Sequence, residues 1–382
     1  MGPCALGEGP CGSDVPEKAI PVPALLMTGF PGFLGSALLP RLLARREGAD
    51  AVCVVQRHHL PTAVARVATL EARHPHVRGR IRLVEGDITQ ASLGVDDLDV
   101  DEIVEVWHLA AVYDLAVDEQ VARRVNVGGT ERVLDLCRDL PRLQRLQYVS
   151  TCYVSGRYDG TFREDDLEMG QEFLNHYEST KYDAEVLVRA ARDAGVPTTI
   201  YRPGIVVGDS QTGETQKFDG PYMYATFLRR QPGPFAFVPL LADPDTVEAS
   251  LVPRDYVLDA MDALSVLDRS LGRTYALTDP HPPTVRQAVD VIAARLGKKV
   301  VWVRLPAKPT RALLAHVPGM ESLLAVPAEA LDYLVSPTRY DTSNTLADLA
   351  GTGVSCPGFT SYADRMLDFW AAHPEIGSAA MV

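Results

Sequence analysis

The sequence predicts an α/β chain built on a doubly wound parallel sheet, with a smaller C-terminal lobe. Three observations predict it. Short apolar runs alternate with amphipathic stretches from residue 23 onward, a glycine-spaced turn follows the first run, and near residue 208 the alternation gives way to a segment rich in Gly, Pro, Phe and Tyr. Strands alternating with helices imply right-handed crossovers, which put helices on both faces of one sheet. With 382 residues, 46% of them hydrophobic and 23% charged, the chain has ample material for a sizeable core.

Taken in order, residues 1–22 are rich in Gly and Pro and lack the basic start and apolar run of a signal peptide, so a disordered leader is expected. Apolar runs at 23–28, 51–55, 81–84, 103–107, 145–149 and 197–201 suit buried parallel strands. Stretches at 36–46, 121–138 and 182–194 repeat Leu, Val and Ala at helical spacing. Beyond the break, 252–267 regains helical periodicity, and 274–277 with 285–296 reads as one more strand and helix. From residue 298 the signals are mixed. The expected division is a leader at 1–22, a nucleotide-binding domain over 23–205 and a substrate lobe over 206–382, with segments near 252–297 packing back on the first domain.

A net charge of −13 supplies no basic footprint, which argues against a nucleic-acid or anionic-membrane partner. The acidic balance reads as a solubility feature. Cys4, Cys11, Cys53, Cys137, Cys152 and Cys356 are scattered without C-x-x-C spacing, which suits free thiols in a reducing, cytoplasmic setting. No stretch of about 18 apolar residues occurs, so no membrane span is predicted. The oligomeric state is open, a homodimer being one option.

The first predicted strand runs into Thr28-Gly29-Phe30-Pro31-Gly32-Phe33-Leu34-Gly35 and then a helix. Such a turn lets the backbone approach a diphosphate and points helix N-terminal amides at it; an ordinary glycine turn is the bland alternative, and the place after the first strand favours the nucleotide. The second strand ends in Gln56-Arg57-His58-His59, without the carboxylate that would hold the ribose diol of NAD. Arg57 can instead grip a 2′-phosphate with its planar fork, so NADP(H) is expected over NAD(H). Asp87, in Gly86-Asp87-Ile88 after the third strand, is placed to meet the adenine, or equally to cap a loop.

Tyr177-Glu178-Ser179-Thr180-Lys181 opens a predicted helix, and residues four apart share a helix face, so the Lys181 ammonium can approach the Tyr177 phenol. A phenol titrates near 10, and a nearby cation would favour its ionised form. Lys181 is one of six lysines in a chain that otherwise uses arginine. Thr151, at the end of the fifth predicted strand, could hydrogen-bond the same substrate oxygen as Tyr177. His108 has a metal or acid–base alternative, but without a neighbouring His or Cys a buried structural histidine is expected.

The succession of the glycine turn, His108-Leu109-Ala110-Ala111, Asn126-Val127-Gly128-Gly129-Thr130, Tyr148-Val149-Ser150-Thr151, Tyr177-x-x-x-Lys181 and Arg202-Pro203-Gly204 resembles the extended short-chain dehydrogenase/reductases over roughly residues 23–300. The resemblance implies a Rossmann sheet and a catalytic set of Thr151, Tyr177 and Lys181. It also implies that Leu109, Ala110 and Ala111 line the cofactor cleft, with Pro203 and Gly204 bordering the nicotinamide. Gly208-Asp209-Ser210-Gln211-Thr212-Gly213, Asp219 and Val252-Pro253-Arg254-Asp255-Tyr256-Val257 look like the fatty-acyl-CoA reductase and thioester reductase branch, in which NADPH reduces an acyl thioester. Phe30-Pro31 departs from the small residues usual in that loop.

The expected activity is therefore NADPH-dependent reduction of a carbonyl or acyl thioester, on a small and apolar substrate, with no metal. Phe218, Tyr222, Tyr224, Phe227, Phe235 and Phe237 suggest an apolar pocket, although their spacing also suits lobe core. An NAD-dependent nucleotide-sugar epimerase or dehydratase is the rival. Dehydratases resemble one another in an acidic pair after the threonine, where this chain has Cys152-Tyr153, and epimerases tend to carry an asparagine where Ile205 stands. A non-catalytic NADP sensor is a third reading, for which Thr151, Tyr177 and Lys181 would be superfluous.

Overall fold

The computed structural model describes residues 22–113, 117–240, 243–304 and 336–377, so the expected leader lies outside the described residues except for Val22. The six predicted runs form β1 (Ala24–Thr28), β2 (Asp50–Val55), β3 (Ile81–Glu85), β4 (Ile103–His108), β5 (Arg145–Val149) and, after the short β6 (Gly160–Phe162), β7 (Thr198–Pro203). The later strands are β8 (Ile205–Val207), β9 (Phe235–Leu240), β10 (Leu251–Pro253), β11 (Thr274–Leu277), β12 (Lys299–Arg304) and β13 (Thr338–Tyr340). Seven of these pair in parallel in the order β3-β2-β1-β4-β5-β7-β11. Between β1 and β4 the strand order reverses, and such a switch point opens a ligand crevice at the carboxyl ends of the strands.

The strands are apolar throughout because both faces are covered. Leu25 and Met27 enter one core with Cys53, Val55, Trp107 and Tyr201, while Ala24 and Leu26 enter the other with Val52, Val54, Val106 and Ile200. Helices α1 (Phe33–Arg45) and α2 (Leu60–Arg73) cover the first face. The second face takes α4 (Gly129–Asp139), reached through the single turn α3 (Glu119–Ala122), and α5 (His176–Asp193). Past α6 (Pro221–Arg230), α7 (Arg254–Ser265) returns to the first face beside α1.

The stretch 121–138, predicted as one helix, is corrected to two helices joined by a π-helical turn over Arg123–Gly128. Within that turn the buried Asn126 spends its amide sideways: Oδ1 accepts from Val112 N at 2.8 Å, and Nδ2 donates to Val112 O at 3.3 Å and Thr180 Oγ1 at 3.1 Å. A widened turn of this kind is common where a helix serves a functional site, and here it ties the end of β4 to α5.

A separate core joins α6, β9, α8 (Val285–Arg295) and α10 (Ala363–Ala372), while α9 (Ser343–Leu349) packs against β11 and α7. Phe218, Tyr222 and Phe227 fill this core, whereas Phe235 and Phe237 stand about half exposed on β9. Of the six aromatics, Phe218, Tyr222 and Phe227 thus follow the lobe-core alternative, Tyr224 packs half-buried against that core, and Phe235 and Phe237 are exposed. Cys53, Cys137 and Cys152 are buried free thiols and Cys356 a half-buried one; Cys4 and Cys11 lie outside the described residues. Among the described residues, no helix is long and apolar enough to cross a membrane.

Candidate active site

The glycine turn sits at the crevice and is shaped by close approach. Gly29 has φ +88°, and a Cβ there would lie 2.8 Å from Ala110 N and from the Leu109 carbonyl carbon, so only glycine lets the loop pass the end of β4. A Cβ on Gly35 would lie 2.7 Å from Gly29 O, which closes the turn onto the helix. Helix α1 starts at Phe33, with Gly32 as an N-cap that offers no side-chain hydrogen bond, so the first amides of Phe33, Leu34 and Gly35 remain available to an anion. These features fit a dinucleotide diphosphate. Phe30, the departure from small residues, is buried in the core beneath the loop.

Behind the loop runs a buried chain of hydroxyls through His108. Ala110 N donates to Thr28 Oγ1 at 3.3 Å, Thr28 Oγ1 lies 2.7 Å from His108 Nδ1, and His108 Nε2 lies 3.0 Å from Thr130 Oγ1, which donates to Asn126 O at 2.6 Å. Because Thr130 gives its own proton to a carbonyl, His108 must donate from Nε2 and accept at Nδ1. Burial, aided by the Lys181 charge, pushes this imidazole down to about 3, which keeps it neutral. His108 thus holds the loop to α4 as a structural side chain, and among the described residues no three His, Cys, Asp or Glu side chains group to hold a metal ion.

Thr151 follows β5, and Tyr177 and Lys181 lie one turn apart on α5, whose N-cap Asn175 accepts from Glu178 N at 3.0 Å. Burial pushes the Tyr177 phenol above its ordinary value, and the nearby Thr151 hydroxyl pulls it back. Thr151 Oγ1 also accepts from Tyr153 N at 3.3 Å and reaches Pro203 O at 3.5 Å, which brings β7's end to the same point. Gly204 is tight as well, since a Cβ there would meet Ser250 O at 2.5 Å.

The hydrogen bonds of Lys181 go to residues other than Tyr177. Lys181 Nζ bends toward β5 and donates to Tyr148 Oη at 3.0 Å and Val149 O at 2.9 Å. Sharing a helix face sets the Cβ positions, but a long buried ammonium goes to the acceptors that best offset its lost hydration. Burial pushes it down to about 7, against the pull of the Glu185 carboxylate one turn further along α5. Tyr148 was legible only as part of a motif. Tyr113, edge-on to Tyr177 with centroids 5.0 Å apart, and Lys217, 4.5 Å above the Tyr113 ring, carry no sequence signal and are brought in by the tertiary fold.

A buried ion pair holds this constellation. Arg202 Nη2 lies 2.7 Å from Glu185 Oε1, and Ser150, the neighbour of Thr151, donates to Glu185 Oε2 at 2.6 Å. The same Nη2 donates to Asp166 O at 2.7 Å, so β5, α5, β7 and the segment after β6 meet at one knot. Burial works to raise the Glu185 carboxyl, but Arg202 and Arg189 hold it below its ordinary value. Arg202→Met should therefore destabilise the fold by about 3–5 kcal/mol, because it removes the more deeply buried of the two cations on a buried carboxylate and leaves Arg189 alone to balance it, and Arg202→Met with Glu185→Leu should recover much of that loss. Urea denaturation of the three proteins checks both outcomes. A single variant as stable as the wild type would refute the assignment.

On the adenosine side, Arg57 is almost fully exposed just past β2, and its Nε stands 3.9 Å from Glu85 Oε1. Asp87 Oδ1 accepts from Thr89 N at 2.8 Å, so its carboxylate caps the turn. Ile88 packs into the core, where a Cβ on Gly129 would lie 2.6 Å from its Cδ1, and only its backbone is left to face a ligand. Ala110 and Leu109 lie against Gly29, and Ala111 follows them at the lip of the crevice.

Residues 27–261 match the family model described as male sterility protein. Over 295 residues, 74% of this chain, the sequence is 28% identical to a linear gramicidin synthase protein of Brevibacillus parabrevis, of which it spans 6%. It is 25% identical over 236 residues to the fatty acyl-CoA reductase wat of Drosophila melanogaster, which covers 52% of this chain and 46% of that protein. The chain thus spans less than half the length of either curated relative. Among solved structures, the terminal R domain from the myxalamid PKS-NRPS biosynthetic pathway is similar with a TM-score of 0.78 and 29% identity, over 92% of this chain and 91% of that one.

Proposed function

The chain belongs to the male sterility protein family, within the extended short-chain dehydrogenase/reductases, and from that membership we propose that it is an NADPH-dependent reductase of an acyl thioester or a related carbonyl. The observation that carries the proposal is the nearness of Thr151, which follows β5, to Tyr177 in the first turn of α5, close enough for the hydroxyl to act on the phenol. Residues 23–205 are assigned to the cofactor and 206–382 to the substrate lobe, with segments near 252–297 returning to the cofactor domain.

When bound, the reduced nicotinamide supplies the hydride that forms the new C–H bond. Tyr177 delivers the phenolic proton to the substrate oxygen as that bond forms, and Thr151 donates a hydrogen bond to the same oxygen. An acyl thioester then becomes a hemithioacetal, which loses its thiol to leave an aldehyde. Lys181 spends two of its three N–H donors on Tyr148 and Val149, which leaves the third for the nicotinamide ribose. Leu109, Ala110, Ala111, Pro203 and Gly204 line the cleft. Free thiols support a reducing, cytoplasmic setting. NADPH oxidation assayed over acyl-CoAs, aldehydes and ketones tests the reading. Turnover of UDP-sugars with no net cofactor oxidation would replace it with an epimerase or dehydratase.

The choice of NADPH rests on Arg57 and the missing carboxylate after β2. Arg57→Ala should weaken NADPH by about 1.5–3 kcal/mol if the arginine makes a charged hydrogen bond to the 2′-phosphate, and should leave NADH unchanged. Fluorescence titration of both cofactors checks this. Equal wild-type affinities, or tighter NADH, would reverse the assignment.

A further inference from the structure

We propose that Arg254 binds the diphosphate of the dinucleotide, an assignment that rests on the cofactor reading above. Arg254 opens α7 directly after β10, at the carboxyl end of a parallel strand paired with β8. Its guanidinium carbon stands 5.0 Å from the centroid of the Phe33 ring, and Phe33 is the first residue of α1. A cation is therefore held beside the one helix start that the glycine turn presents to the crevice, where α1 carries no side-chain cap.

The side chain is buried, at 9% exposure, yet poorly spent. Its Nε is buried with no acceptor among the described residues. The carboxylates of Asp209 and Glu214 stand 3.8 and 3.9 Å from Nη2, beyond hydrogen-bond distance. Contrast Arg202, which closes on Glu185 at 2.7 Å. A buried guanidinium with unmade hydrogen bonds is costly. The two acids neutralise Arg254 at long range without consuming its donors, and the Phe33 face supports the cation without offering an acceptor. What such a fork lacks is a set of anionic oxygens in a planar, two-pronged arrangement, which a phosphate supplies. Of the parts of a dinucleotide, the diphosphate is the one that the N-terminus of α1 receives.

Calorimetric titration of the full chain with NADPH and with adenosine 2′-monophosphate, which has the 2′-phosphate but no diphosphate, tests the assignment. Arg254→Gln should raise the NADPH dissociation constant roughly 10- to 100-fold, the effect of losing a charged hydrogen bond. Adenosine 2′-monophosphate should be unaffected, and Arg254→Lys should fall between Gln and wild type. An unchanged NADPH affinity in Arg254→Gln, or an equal loss for both ligands, would overturn the proposal. Should Arg254→Gln fail to fold, a crystal structure of the wild type with NADPH decides. A guanidinium within hydrogen-bond distance of a phosphate oxygen supports the proposal, and one left on Asp209 and Glu214 overturns it. If the wild type binds neither NADPH nor NADH, the cofactor reading itself fails, an outcome distinct from the others.

Discussion

Replacing Tyr177 by phenylalanine should lower the single-turnover rate of NADPH oxidation by about 10²–10⁴-fold, while folding and cofactor binding survive. The substitution removes one hydroxyl and keeps a ring that is packed edge-on against Tyr113. Burial holds the Tyr177 phenol above its ordinary value, so near neutrality the residue would enter the proposed reaction as a proton donor. Thr151 partly offsets that burial, and Thr151→Val should cost less than Tyr177→Phe because it deletes a hydrogen bond and no transferred proton. Single-turnover rates and NADPH dissociation constants for wild type and both variants check this order. A Tyr177→Phe enzyme that keeps most of its rate would refute the role given to this residue.

Lys181→Met should be worse, losing cofactor affinity as well as rate, and it should also remove a pH dependence. The ammonium is lowered by burial to about 7, with the Glu185 carboxylate pulling the other way. Below that value the charged form is present and, in the proposed role, would bind the ribose; as pH rises through about 7 it is lost. Wild-type NADPH affinity should thus fall across that interval, and the Met variant should be weak and flat. The stability sign runs the other way. The folded-state value lies below the ordinary 10.5, so the unfolded chain holds the proton more readily, and the penalty for burying the charge is full below about 7 and relieved as pH rises toward 10.5. Lys181→Met should therefore unfold no earlier than wild type at pH 6. A wild-type affinity that is flat in pH, or a Met variant that binds NADPH normally, would contradict the ribose role.

Much of the fold was legible because parallel strands buried on both faces leave unbroken apolar runs, and all six predicted runs became sheet strands. The start of α5 was legible almost to the residue: Tyr177 was read as opening a helix, and the helix begins at His176, capped by Asn175. The break at Arg123–Gly128 was not legible, since the reason for it is the pairing of Asn126 with Val112 and Thr180, 14 and 54 residues away. The six lobe aromatics were ambiguous for a related cause. Spacing cannot tell a ring that lines a pocket from one packed beneath α8 and α10.

What the sequence determined by itself is local in origin. Helix and strand periods, the Gly29, Gly32 and Gly35 turn, and the placing of Tyr177 and Lys181 on one helix face all follow from short-range geometry. The tertiary structure alone decided where buried charges go. It sent Lys181 to Tyr148 and Val149, closed Arg202 on Glu185, and left Arg254 beside Phe33 with an unspent Nε. The physical reason is that a charge removed from water must find partners at hydrogen-bond distance. Those partners arrive from strands and helices far apart in the chain, so no local pattern encodes them.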